Sequence, residues 1–265
     1  MNSEVLSRPI IGWFVFLHLG ALLALITTFS WSAVVLMLVM YWLTASIGIC
    51  FGFHRYLTHR GMSMPKWLDY TIVFLGTLAC QNGPIKWVGH HRQHHQYSDT
   101  PHDPHNANRG FWWSHIGWML YTQDSDNTKT IEQYTRDINQ DKFYQFLDRY
   151  FILIQFALGI LFYMMGGLSW VVWGIFVRLV LVYHATWLVN SACHMWGYKN
   201  FDMDKDLSTN NWWTAILTFG EGYHNNHHKY PKRARHGLKF FEVDLTWVFI
   251  WMLHKIGLVR INDRK

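Results

Sequence analysis

The chain has 265 residues, of which 51% are hydrophobic and 15% charged. An ordinary soluble domain carries about 25% charged residues, so a water-soluble globular protein fits poorly. Aromatic residues reach 18%, with sixteen Trp, as in proteins whose amphipathic rings line a membrane interface. The formal net charge of +6 with His neutral suits an anionic membrane face. A nucleic-acid partner is not expected, because the compact basic run KRARHG at 232–237 is more simply a patch facing the membrane or an electron donor. The three cysteines, Cys50, Cys80 and Cys193, lie in or at the end of apolar runs. Their odd number and lack of a pairing pattern predict reduced packing residues rather than disulfides.

In chain order, the N-terminus MNSEVLSRPIIGWF offers one basic residue, Arg8, and no clear small-residue cleavage site. It reads as the start of a retained membrane helix rather than a signal peptide. From Pro9 to Phe53 there are forty-five residues without Asp, Glu, Lys or Arg, too many for one span of about 20. The polar stretch Thr27–Ser32 divides them into spans near 10–28 and 33–53. Arg8 before this hairpin and Arg55, Arg60 and Lys66 after it place both ends in the cytoplasm. Residues 67–88 are short and interrupted by Gly83-Pro84, which predicts a buried or interfacial helix. Residues 122–149 are polar, as a cytoplasmic connection would be.

The apolar block Tyr150–Asn190 is split by Gly166-Gly167 into spans near 150–166 and 168–190. Arg178 lies inside the second, and a charge mid-span is costly. The helix is therefore expected to leave the hydrocarbon near Arg178 and continue as a cytoplasmic extension. The run WVFIWMLHKIGL from Trp247 reads as an interfacial amphipathic helix. The fold class expected is an all-α integral-membrane protein, a single domain over 1–265. Four transmembrane helices in two hairpins carry a cytoplasmic helical cap formed by 54–149 and 191–265.

Of the seventeen His, three clusters lie in or beside that cap. HRYLTH supplies His54 and His59, HRQHH supplies His91, His94 and His95, and HNNHH supplies His224, His227 and His228. His194 in NSACH is a ninth candidate, with Asn190 one helical turn earlier. Residues at i, i+3 and i+4 share a helix face, so each triplet converges. His54 and His59, five apart, converge only if their helix ends or distorts between them. Imidazole suits Fe, Zn, Cu and Ni. One structural zinc takes four ligands, so nine His fit two metal ions, and iron rather than zinc can activate O2. Carboxylates that could orient ligand N–H groups are Glu221, Asp99 and Asp103. His18, His184 and His254 read as interfacial or packed residues. His90, His102, His105, His115 and His236 read as surface or supporting residues. Mid-membrane haem or transport sites do not fit clusters that lie outside the spans.

HRYLTH, HRQHH, NSACH and GEGYHNNHH, together with DPHNANRGFWWSHIGW and ATWLVN, resemble the membrane fatty acid desaturases of the delta-9 type, over most of 48–260. The resemblance implies a di-iron enzyme. Its ligands would be His54, His59, His91, His94, His95, His194, His224, His227 and His228, and Asn190 would hold a metal-bound water. It also implies a bent acyl tunnel shaped by Gln81, Trp87 and Thr186. The reaction implied uses O2 to place a cis double bond in a saturated long acyl chain. Animal acyl-CoA enzymes of this family carry an Arg-Asp pair just before the second box. Here Gly89 and His90 stand there, which favours a glycerolipid-bound chain over acyl-CoA. No fused donor domain is recognised, so a separate ferredoxin or cytochrome b5 type protein would supply electrons. A membrane di-iron hydroxylase is the alternative that the histidine boxes alone leave open.

Overall fold

A computed structural model describes residues 5–26, 29–122 and 127–262 of the protein. Among these, three helical runs are long and apolar enough to cross a membrane: Arg8–Leu25, Trp31–Thr58 and Lys142–His194. Helix α1 (Arg8–Leu22) starts on a proline in its first turn and ends in a 3-10 turn at Leu25. The end of the first expected span, at Thr27 and Thr28, lies outside the described residues. Helix α2 (Trp31–Tyr41) is capped by Ser30, whose Oγ accepts from the Ala33 amide at 3.2 Å.

Helix α2 passes without a break into a π-helix, Trp42–Thr58. Pi-helical stretches are rare and concentrate at functional sites. Here the π-helix bears the first histidine pair at its end. One face, with Ile49 and Phe53, packs on Val73 and Val88; another, with Ile47 and Phe51, packs on Ile250.

Helix α3 (Lys66–Thr77) lies against the π-helix, followed by a tight turn and helix α4 (Pro84–Tyr97). The approach of α3 to the π-helix is closest at two glycines. A Cβ on Gly48 would stand 2.4 Å from the Gly76 amide nitrogen and 2.5 Å from its Cα. Since backbone cannot swing aside, Gly48→Ala should destabilise the fold by about 1–3 kcal/mol or more. Thermal unfolding of detergent-solubilised protein measures this, and an unchanged midpoint would contradict the packing.

The connection expected over 122–149 is partly helical, with α5 (Thr128–Thr135) in it; residues 123–126 lie outside the described set. Helix α6 (Lys142–Val171) begins eight residues ahead of the apolar block. Asp141 caps it, accepting from the Phe143 and Tyr144 amides. At Gly167 the backbone leaves helical geometry (φ 65°, ψ −158°), a conformation open essentially to glycine alone. Beyond it Gly174 returns beside Phe162, and Phe162 and Ile175 share one apolar cluster with Leu17 and Met40. The chain continues as a π-helix, Val172–Val177, then α7 (Arg178–Ser191) and a 3-10 turn, Ala192–His194.

Arg178 lies within the third apolar run, Lys142–His194. Its side chain is fully buried, held by backbone carbonyls from neighbouring elements. Local hydrogen-bond partners, rather than water, solvate the guanidinium.

Short helices α8 (Trp212–Leu217) and α9 (His224–Lys229) follow, then α10 (Leu245–Lys255). Helix α10 buries Thr246 and Ile250 and exposes Leu245, Val248, Trp251 and Met252. The all-α expectation needs one amendment, two minimal antiparallel sheets. β1 (Val5–Leu6) pairs with β3 (Tyr121–Thr122), and β2 (Met62–Ser63) with β4 (Arg260–Ile261). They tie Val5–Leu6 and Arg260–Ile261 to segments distant in sequence. The three cysteines are free and buried.

Candidate metal centre

The nine sequence-predicted histidines come together, in two sets. Ring nitrogens of His54, His59, His91, His95 and His227 all lie within 4.8 Å of one another, and so do those of His94, His194, His224 and His228. Each triplet straddles the two sets. His91 and His95 of α4 join the first while His94 joins the second. His227 of α9 joins the first while His224 and His228 join the second.

The π-helix is what brings His54 and His59 together. The His59 amide donates to the His54 carbonyl at 3.2 Å, five residues back. That register stacks i and i+5, and the two rings sit with centroids 4.9 Å apart. Helix α9 is only six residues long, and its face is set by the two asparagines between its histidines. The Asn226 amide donates to Glu242 at 2.8 Å and to the His236 carbonyl at 2.9 Å. Asn225 bonds the backbone of Asn200, Phe201 and Ser208.

Four carboxylates face the Nδ1 atoms. Asp103 lies 2.9 Å from His94, Asp99 2.9 Å from His194 and Asp206 2.7 Å from His228; Glu221 contacts His54. Burial would raise the Asp99 carboxyl, but the His194 N–H holds it below the usual carboxylate range, and His228 does the same for Asp206. Burial would likewise raise Glu221, yet the charges of His54 and Arg55 depress it strongly. Ionised acceptors fix the proton on each Nδ1 and leave Nε2 as a lone pair.

The consequence is sharpest in the second set. His94 Nε2 faces His228 Nε2 at 3.2 Å, although both rings have Nδ1 committed to a carboxylate. His194 Nε2, equally committed, faces His224 Nε2 at 3.0 Å. In the first set the Nε2 atoms of His54 and His227 are 3.0 Å apart, His227 and His95 2.9 Å, and His95 and His91 3.1 Å. His59 Nε2 is buried with no hydrogen-bond partner. Burial, then mutual repulsion, keeps His59, His91, His94, His95, His224 and His227 far below the ordinary histidine range and so neutral at pH 7. Lone pairs facing one another in a dry site repel. A proton on one ring relieves one contact, whereas a shared cation relieves them all. Ligands about 2.1 Å from one ion and at right angles stand about 3.0 Å apart, the spacing found. The donor sets therefore fit two metal ions.

The sequence did not point to Asp206, because it sits in the loop FDMDKD with no periodic relation to a box. Asp206→Asn would weaken the orientation of His228 and is expected to lower metal affinity or activity about 10–100-fold. Metal titration of the purified variant checks this; wild-type affinity would contradict it.

The other histidines also find places. His236 is buried, its ring 4.4 Å from that of His227, with Nδ1 3.5 Å from Glu221. His105 packs on His94 with centroids 4.1 Å apart, and His90 lies against Trp118. His102 is exposed, and His254 Nδ1 bonds the Val259 carbonyl. His18, His184 and His115 form a hydrogen-bonded chain, with links of 3.0 Å each, that ends on Ser191 Oγ. The reading of His18 and His184 as ordinary packing residues missed this, since it joins helices 166 positions apart.

Beside the first set lies a narrow, mostly apolar cavity walled by Ala45, Ile49, Ala185 and Val189 and reaching His54, His91 and His224. Trp87, Thr186 and Asn190 line it. Gln81 stands behind the wall: its Nε2 donates to Thr186 Oγ1 at 2.9 Å, and its Oε1 accepts from Trp87 Nε1 at 3.3 Å.

A helical, apolar scaffold thus presents two adjoining polyhistidine sets beside a narrow apolar cavity. A family model described as fatty acid desaturase matches residues 29–249. The chain belongs to the fatty acid desaturase family and is an oxidoreductase that desaturates fatty acids. It is 54% identical to an sn-1 stearoyl-lipid 9-desaturase of Anabaena variabilis, over all of both chains. It is 53% identical to a Synechocystis protein of the same name, over 95% of this chain and 78% of that one. An sn-2 palmitoyl-lipid 9-desaturase of Nostoc sp. is 47% identical, over 96% of this chain and 91% of that one.

Proposed function

We propose that the chain is a single-domain, multi-pass membrane desaturase that places a cis-9 double bond in a saturated acyl chain carried on a glycerolipid. Two ferrous ions would be held by the five-histidine and four-histidine sets, with Asn190 holding a metal-bound water. Four spans in two hairpins leave the cap and both histidine sets on the cytoplasmic face, where a ferredoxin or cytochrome b5 type protein delivers electrons. The observation that carries this reading is the pair of carboxylate-oriented Nε2 sets opening onto the apolar cavity.

Iron bound there would supply the redox chemistry that couples O2 reduction to C–H removal. The balanced reaction takes one O2, two electrons and two protons, removes one hydrogen from each of two adjacent methylenes, and yields the alkene and two waters. The chain's own residues do the rest. Asp99, Asp103, Asp206 and Glu221 face the Nδ1 atoms and fix the orientation of the imidazoles. Ala45, Ile49, Ala185 and Val189 exclude water from the reacting carbons. A methylene chain offers no polar handle, so the bend at Trp87 and Thr186 selects the bond by position alone.

The lipid carrier is supported by the names of the relatives and by two buried positions. A Cβ on Gly89 would meet Ile131 at 2.9 Å, and His90 is enclosed beside Trp118. Neither position can reach out to a CoA headgroup. The test is the fatty-acid profile of a host lacking delta-9 desaturation, expressing this chain with a suitable donor. A 9-monoene appearing first in glycerolipid is expected. Its appearance first in thioester would overturn the carrier, and a hydroxylated chain would overturn the reaction.

A further inference from the structure

Helices α3 and α4 form a hairpin whose tip, 78–83, is wedged between apolar helices. Such a tip has backbone groups that neither water nor a helix satisfies. Two non-glycine residues in it, Cys80 (φ 56°) and Asn82 (φ 68°), adopt left-handed geometry. The tip persists only if its surroundings hold it.

They hold it from both sides by charge. On the α4 side, Asp148 Oδ1 accepts from the Ile85 and Lys86 amides at 3.1 and 3.0 Å, an anion at a helix N-terminus. Gly83 lets it approach, since a Cβ there would sit 2.1 Å from the Asp148 Cα. On the α3 side stands Arg178. Its Nη1 donates to the Leu78 carbonyl at 2.6 Å and its Nε to the Gly174 carbonyl at 2.7 Å. With its amide turned to accept, the Gln155 oxygen lies 2.6 Å from Nη2, and its nitrogen donates to the same Leu78 carbonyl at 3.0 Å. Tyr183 Oη donates to the Cys80 carbonyl at 2.5 Å. Arg178 is met by the Gly174 and Leu78 carbonyls, Thr44 Oγ1 and the Gln155 amide rather than by a carboxylate. This cation is spent on the orphan carbonyls at a helix C-terminus, where positive charge is favoured.

Three residues after Leu78 the same tip carries Gln81, the residue that ties Thr186 to Trp87 in the wall of the cavity. We infer that Arg178 is a positioning residue for regioselectivity: by pinning the tip at Leu78, it sets the depth of Gln81, and through it the Trp87–Thr186 wall that chooses which acyl carbons meet the metals. The inference rests on the proposed acyl occupancy of the cavity. Arg178 touches no substrate. A shift of that wall of about 1 Å is enough to present a neighbouring methylene, because reactive geometry tolerates no more than that.

The experiment expresses full-length wild type, Arg178→Met, Arg178→Lys and Gln155→Leu with the donor in the host without delta-9 desaturation. Double-bond positions are read by mass spectrometry, and protein level and bound iron alongside. In Arg178→Met the double bond is expected to move or spread by about one or two carbons, with iron retained. Arg178→Lys, with the charge but not the three-way reach, should spread less. A single unchanged position in Arg178→Met, at any rate of turnover, would overturn the inference and leave Arg178 a structural residue only. If Arg178→Met does not accumulate, Gln155→Leu decides, because it frees half of the hold on Leu78 while keeping the cation; an unchanged position there overturns the inference equally. Failure of the wild type to make any alkene would instead count against the proposed function.

Discussion

Replacing His227 by alanine is expected to abolish desaturation and strip metal from the five-histidine set while the protein still accumulates. His227 Nε2 lies between those of His54 and His95, at 3.0 and 2.9 Å. Removing it opens the centre of that set and leaves His54, His59, His91 and His95 to hold an ion without the ligand from α9. Loss of an orienting carboxylate alone costs about 10–100-fold in affinity or activity, so loss of a ligand should exceed that. Helix α9 would survive, because Asn225 and Asn226 anchor it independently. Metal analysis and product formation on the same membranes measure both effects, and a variant with full activity would refute the assignment of this histidine.

The second large effect is expected at Arg55, one residue from His54. Its side chain is fully buried and forks between Glu221 at 2.8 Å and Asp244 at 2.9 Å. A further N–H reaches the Ala234 carbonyl at 2.8 Å. Glu221 in turn contacts His54 Nδ1, and Asp244 caps α10 by accepting from the Trp247 amide at 2.9 Å. One guanidinium thus joins the π-helix, the third histidine box and the C-terminal helix. Arg55→Met would leave two carboxylates buried without a counter-charge, which typically costs about 3–5 kcal/mol, a large part of the stability of most domains. The variant should fail to accumulate at 37 °C, as read by immunoblot of membranes. Adding Asp244→Asn should restore part of the yield, since one uncompensated charge is then removed. Normal accumulation of Arg55→Met alone would contradict the account.

The parts of the site that were legible were those with local periodicity. The i, i+3, i+4 spacing of His91, His94 and His95 places them on one face whatever the tertiary structure. His54 and His59 were legible only as a condition, a distorted helix, and the π-helix meets it. The partition into five and four was not legible, because it depends on where α4 and α9 cross, and each triplet serves both sets. Asp206 and the two asparagines of HNNHH act through tertiary hydrogen bonds that leave no spacing in the sequence.

The apolar runs were legible by composition. The solvation of Arg178 was not legible, because it comes from the carbonyls of Leu78 and Gly174 and from Gln155, which only the folded chain assembles. Gln81, expected to shape the tunnel with Trp87 and Thr186, supports the other two from behind rather than lining the cavity.

The central claim, that the two histidine sets each hold an iron used in desaturation, is tested most directly by metal stoichiometry. The measurement is elemental analysis of purified full-length protein whose turnover, with donor and O2, is assayed on the same sample. Two irons per chain are expected, one for each set, with activity lost as iron is chelated and regained when ferrous iron alone is restored. Full turnover with a single metal ion per chain, or with zinc in place of iron, would contradict it.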